Sequence, residues 1–202
     1  MHESADVPGT VPAAGAERRR WIERHDYVVA AASAVPAEDV YDVLADLETH
    51  LEWSGRLLGD RAERLLTIDA PVGPAVVGTA FRSTGYTSIG SFVDRSTVVV
   101  AERPTRFEFV TESRLERPNG SAIRSTWIHR FEIAARPNGS RIVRTDRQTA
   151  FYDPAPWWLR PFAWPLVAII GYRLMAESTS RATLANLAHF AERRHALRHG
   201  AS

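Results

Sequence analysis

The pentapeptide Arg-Pro-Asn-Gly-Ser occurs twice, at 117–121 and at 136–140, and each copy joins two runs of alternating apolar and polar residues. Asn-Gly between such runs is the strongest short-range signal for a β-hairpin, because both residues tolerate positive φ. Three strands, over Arg106–Leu115, Ala122–Ala135 and Arg141–Arg147, are thereby predicted to form an antiparallel meander. Another Val-rich run, Phe92–Glu102, precedes them, and strand-like patterning begins near residue 61. A twisted antiparallel sheet must bury one face, so the rest of the chain has to supply an amphipathic partner.

Helical patterning flanks the strands. Residues 26–34 read as a first strand, and Pro36 opens a helix at its first position, where a missing N–H costs nothing. Glu38 and Asp39 complement the helix dipole, and Val40, Tyr41, Val43, Leu44 and Leu47 form one apolar face. A second short helix is predicted over 48–53, ending at Ser54-Gly55. Four prolines between 154 and 165 break up the entry to a long helix predicted from about 163 to 195. Leu166, Val167, Ile170, Leu174, Ala182, Leu187 and Phe190 share its apolar stripe. At ~1.5 Å per residue it is on the order of 45 Å long, enough to cross a sheet. The domain reading is an arm over 1–18, one domain over 19–196 and a tail over 197–202.

Composition removes several chemistries. The chain has no cysteine, and all 25 of its basic side chains are arginine. Disulfides, thiolate sites, Schiff-base lysines and P-loop lysines are therefore excluded. A net charge of +1 gives no reason to expect nucleic acid as a partner. No Gly-rich phosphate loop and no Gly-x-Ser-x-Gly elbow occurs. Of seven histidines, only His195 and His199 have helical i, i+4 spacing, with no carboxylate of matching spacing beside them. Neither a metal nor a cofactor is expected. No apolar stretch follows a basic start, so the expected location is cytoplasmic.

Several segments, in this order, resemble a known superfamily. They are Val35-Pro36-Ala37-Glu38-Asp39-Val40-Tyr41-Asp42-Val43-Leu44-Ala45-Asp46, Leu51-Glu52-Trp53-Ser54, Val77-Gly78-Thr79-Ala80-Phe81 and the long last helix. Over about residues 25–195 the chain is similar to the START-like helix-grip (SRPBCC) superfamily, in particular its polyketide cyclase/dehydrase and lipid-transport branch. The resemblance implies an α+β helix-grip fold. A curved antiparallel sheet of six to seven strands wraps a long C-terminal helix, two short helices follow the first strand, and a cavity lies between sheet and helix.

Strand alternation then nominates side chains. Phe107, Phe109, Thr111, Ser113 and Leu115 share a face, as do Ile123, Ser125, Trp127, His129, Phe131 and Ile133, and as do Thr79, Phe81 and Ser83. The candidate ligand-binding set is Phe81, Phe107, Phe109, Thr111, Ser125, Trp127 and His129, with Trp53 at the helix corner, facing Val167, Ile170 and Leu174. His129, between Trp127 and Phe131, is partly desolvated, which favours the neutral ring and suits a ligand hydrogen bond or a general base. The competing reading is a core histidine satisfied by a backbone carbonyl or a hydroxyl. On the last strand, Arg144, Asp146 and Gln148 oppose Arg141, Val143, Thr145 and Arg147. Polarity does not choose between these faces, and an exposed charge ladder is the expectation for Arg144 and Asp146.

The expected function is binding of a small hydrophobic, ring-bearing ligand or lipid, as carrier or sensor. The alternatives are an aromatase/cyclase-type enzyme on polyketide-like substrates, and a quinone- or partner-binding interaction protein. The segment 157–172, with Trp157, Trp158 and Trp164, is a buried helix start, a homodimer or partner patch, or a transient membrane-surface contact. It is too short to span a bilayer, which takes ~20 apolar residues.

Overall fold

The computed structural model describes residues 21–55, 64–87, 89–152 and 172–200. Seven strands form one antiparallel sheet: β1 (Trp21–Ser33), β2 (Arg64–Asp69), β3 (Ala80–Thr87), β4 (Gly90–Glu102), β5 (Arg106–Glu116), β6 (Ala122–Arg136) and β7 (Gly139–Tyr152). Their spatial order is β1-β7-β6-β5-β4-β3-β2, so a continuous meander from β2 to β7 is closed by the first strand pairing with the last. Register shifts between Leu65 and Thr67 and between Val98 and Val100 mark bulges, which bend a sheet locally. Helix α1 (Ala37–Ala45) and two irregular turns, Leu47–Thr49 and Leu51–Gly55, follow β1, and helix α2 (Tyr172–His199) ends the domain. This is the expected helix-grip α+β architecture.

The repeated pentapeptide makes both hairpins, but its asparagines do not do what the sequence suggests. No described residue other than glycine has a positive φ, whereas Gly120 and Gly139 stand at 79° and 128°. The proline ahead of each asparagine is the reason. Its ring fixes φ near −65°, which forbids the mirror-image turn at the first central position. In the second hairpin Arg136 pairs with Gly139, leaving Pro137-Asn138 as the loop. In the first, Asn119 accepts bonds from the Ser121 amide and hydroxyl instead. Pro36 is also displaced from its expected role: its ψ of 156° makes it the residue before α1 rather than the first helical one.

The core lies between the inner face of the sheet and the helices. Val40, Val43, Leu44 and Leu47 meet Phe107, Phe131 and Ile142, all essentially without solvent contact. On α2 the buried stripe is Ser180, Thr183, Leu184, Leu187, Ala188 and Ala191, while Ala182 and Phe190 are half-buried at its edge. Two hydroxyls lie on that stripe, so hydropathy alone placed it imperfectly. Polar clamps fix the far half of α2. Glu192 accepts from Ser33 and the Ala34 amide at 3.2 and 2.8 Å, Arg194 meets Asp46 at 2.8 Å, and His195 meets Asp39 at 2.7 Å. The helix runs to His199, where Arg198 and His199 suit its negative end. Its expected start near 163, the 1–18 arm and the 157–172 segment lie outside the described residues. Among the described residues no helix is long and apolar enough to cross a membrane.

Candidate functional site

Alternation on β5 and β6 delivers the aromatic side chains inward as expected. A cavity of about 100 Å³ opens between them and the turn carrying Trp53. Its apolar wall is Trp53, Phe81, Phe92, Phe109 and Phe131, with Leu65 and Ile68 on the β2 side. Its polar lining is His50, Ser54, Ser83, Asp94, Ser96, Thr111, His129 and Arg144. The Ser96 and Thr111 hydroxyls satisfy each other at 2.8 Å across β4 and β5.

Of the candidates nominated from sequence, Trp53, Phe81, Phe109, Thr111 and His129 meet at this cavity. Phe107 does not: it is fully buried, edge-on to Tyr41 at 6.0 Å, as core. Trp127 and Ser125 sit one step back, where the indole donates to the Ser125 hydroxyl at 3.0 Å and stacks on His129 at 5.6 Å. Val167, Ile170 and the Leu174 side chain lie outside the described residues.

The last strand overturns the exposed-ladder expectation. Asp146 is completely buried, and Gln148 and most of Arg144 turn inward with it. Arg144 Nε lies 3.0 and 2.8 Å from the two Asp146 oxygens, and its guanidinium covers the Phe131 ring at 5.3 Å. The Ser180 hydroxyl, from α2, donates to Asp146 Oδ2 at 3.0 Å and lies 3.2 Å from the Tyr27 hydroxyl of β1. Cross-strand register puts His129, Asp146 and Tyr27 side by side, which brings three strands and the helix to one carboxylate. Burial alone would raise the Asp146 carboxyl. The Arg144 charge, then the His129 ring and the hydrogen bonds from both, hold it well below the usual carboxylate range.

His129 Nδ1 is 2.6 Å from Asp146 Oδ1. Its partner is thus a carboxylate, not the backbone carbonyl or hydroxyl that a plain core histidine would use. Asp146 is ionised and only accepts, so at 2.6 Å Nδ1 is the nitrogen that donates to it, with the Arg144 guanidinium 3.3 Å from the same atom, and Nε2 is the ring nitrogen left over. Phe109 packs on the other side of the imidazole, 4.8 Å away.

Sequence reasoning missed His50. It is buried, its Nε2 lies 2.9 Å from the Leu44 carbonyl, and its ring packs 4.5 Å from Trp53. Burial pushes it down to about 4, with the Leu44 bond opposing and the nearby Arg144 charge adding to the shift. The spacing Val43, Leu47, His50, Trp53 was the available signal, one stripe continuing through both irregular turns. His195 does find a carboxylate, Asp39, but no group of three or more potential metal ligands occurs among the described residues.

No family model and no curated protein matches the chain. Solved structures do. An uncharacterised protein from Rhizobium leguminosarum superposes with a TM-score of 0.61 at 18% identity, covering 86% of this chain and 98% of that one. The Mll3558 protein from Rhizobium loti gives 0.54 at 17% identity over 82% and 99%. CV1439 from Chromobacterium violaceum gives 0.54 at 14% over 83% and 96%. At these identities the likeness is one of fold.

Proposed function

We propose that the protein binds a small, hydrophobic, ring-bearing molecule in the cavity between its sheet and its helical elements, as a carrier or sensor. The observation that supports this reading is the cavity itself: five aromatic side chains enclose it, and one wall carries a hydrogen-bonded polar cluster. Such a lining favours apolar rings oriented by a few polar groups. Its volume of about 100 Å³ is below the roughly 150 Å³ of an engineered cavity that holds benzene. A single ring, admitted by small side-chain adjustments, is therefore the matching scale, and a fused polycycle or a lipid chain exceeds it. A ring burying roughly 200 Å² gains about 5 kcal/mol before ordering costs, which corresponds to roughly millimolar affinity. The test is calorimetric titration with toluene. Binding is expected for the native protein and lost in a folded Phe109→Arg variant; equal binding by both would move the site elsewhere.

One observation favours a second reading, an enzyme. A buried carboxylate fixing the tautomer of a cavity-lining histidine is the arrangement of a general base. In this reading His129 Nε2 takes a proton from an acidic C–H of a bound carbonyl compound, leaving an enolate beside Arg144. Acetylacetone in D₂O should then exchange its methylene hydrogens faster than buffer allows, and His129→Gln should abolish the excess. No excess in the native protein would sink the enzymatic reading.

A further inference from the structure

We propose that this cavity selects neutral rings carrying hydrogen-bond donors, hydroxyl or N–H groups of the phenol type, over rings that only accept or that carry a carboxylate. The inference rests on the ring-binding reading above and specifies its ligand class. It follows from the two imidazoles. A carbonyl oxygen can only accept, so the 2.9 Å contact to Leu44 requires the hydrogen of His50 on Nε2. In the neutral ring Nδ1 is then a bare acceptor. His129 is oriented independently, by the 2.6 Å bond from Nδ1 to Asp146, which leaves Nε2 as the nitrogen open to a ligand donor.

Both rings line the same cavity and both pack on Phe109, at 6.2 and 4.8 Å. Neither remaining nitrogen has a hydrogen-bond partner among the described residues. Arg144 does not make the cavity anion-seeking, because the fully buried Asp146 matches its charge at 2.8 Å. A ligand without donors leaves these acceptors stripped of water and unpaired, which is the costly case. A donor-bearing ring of the same size pays only for ordering.

The test uses five single-ring probes titrated calorimetrically at pH 7.5: phenol, resorcinol, anisole, toluene and benzoate. Anisole keeps the ring and the oxygen of phenol but cannot donate. Phenol and resorcinol are expected to bind at least about tenfold more tightly than anisole and toluene, the factor worth one hydrogen bond. Benzoate should be weakest. Anisole or toluene binding as well as phenol overturns the donor selection while leaving ring binding intact. Failure of all five, toluene included, overturns ring binding and this inference with it. His50→Phe and His129→Phe, each checked for folding by circular dichroism, assign the acceptors. The preference for phenol over anisole should shrink in at least one; full retention in both overturns the role given to the imidazoles.

Discussion

Buried, neutral His50 makes the stability of this protein depend on pH in a defined window. Above its ordinary value of 6.5 the ring is uncharged in both folded and unfolded chains, and it contributes no pH dependence. Below 6.5 the unfolded chain takes up a proton that the folded chain refuses until about 4. The unfolded state therefore binds more protons across that interval, and stability falls as pH falls. At about 1.4 kcal/mol per pH unit, the interval from 6.5 to about 4 corresponds to about 3 kcal/mol. The comparison is His50→Gln, whose side-chain amide can still donate to the Leu44 carbonyl but does not titrate. Urea unfolding of both proteins at pH 4, 5, 6 and 7 gives the difference directly, with other titrating groups cancelling. The native protein should lose about 3 kcal/mol more than the variant between pH 7 and pH 4, with no further divergence below. Parallel pH curves would refute a desolvated His50.

Two other outcomes follow from packing and backbone geometry. Phe107→Ala removes a ring with no exposed surface and should cost about 3–5 kcal/mol, whereas Phe109→Ala, half-buried with the cavity on one side, should cost clearly less; chemical denaturation of both checks the placement. Gly139→Ala should destabilise by more than about 1 kcal/mol, because φ is 128° and the new Cβ would run into the Ser33 carbonyl. Gly120→Ala, at 79° with open space around it, should lower the melting temperature less.

What could be read from the sequence was whatever hydropathy alternation encodes. On β5 and β6 one face is apolar and the other charged, so Phe109 and His129 were placed inward from pattern alone, as was Phe81 on β3. On β7 both faces are polar, and the pattern is silent. Arg144 and Asp146 turn inward because Tyr27, His129 and Ser180 wait for them there, and those partners come from β1, β6 and α2. No local rule contains that information. Glu108 shows the converse: it lies on the outer face yet is buried, between Arg106 at 2.8 Å and Arg130 at 2.7 Å. His50 escaped notice because irregular turns, rather than a regular helix, set its direction.

The pairing of β1 with β7 has a kinetic consequence. Strands β3 to β7 are linked by short connections to their neighbours, so each of these hairpins can close with little loss of chain entropy. Among the described residues strand β1 pairs only with β7, and Trp21 must find Tyr152 across most of the chain. During synthesis the first strand emerges long before its mate, an unpaired edge until Gly139–Tyr152 arrives. Asp146 and Tyr27 belong to those two strands and Ser180 to the helix made after both. The carboxylate at the centre of the candidate site thus acquires its full set of partners only when the oldest and youngest parts of the polypeptide meet.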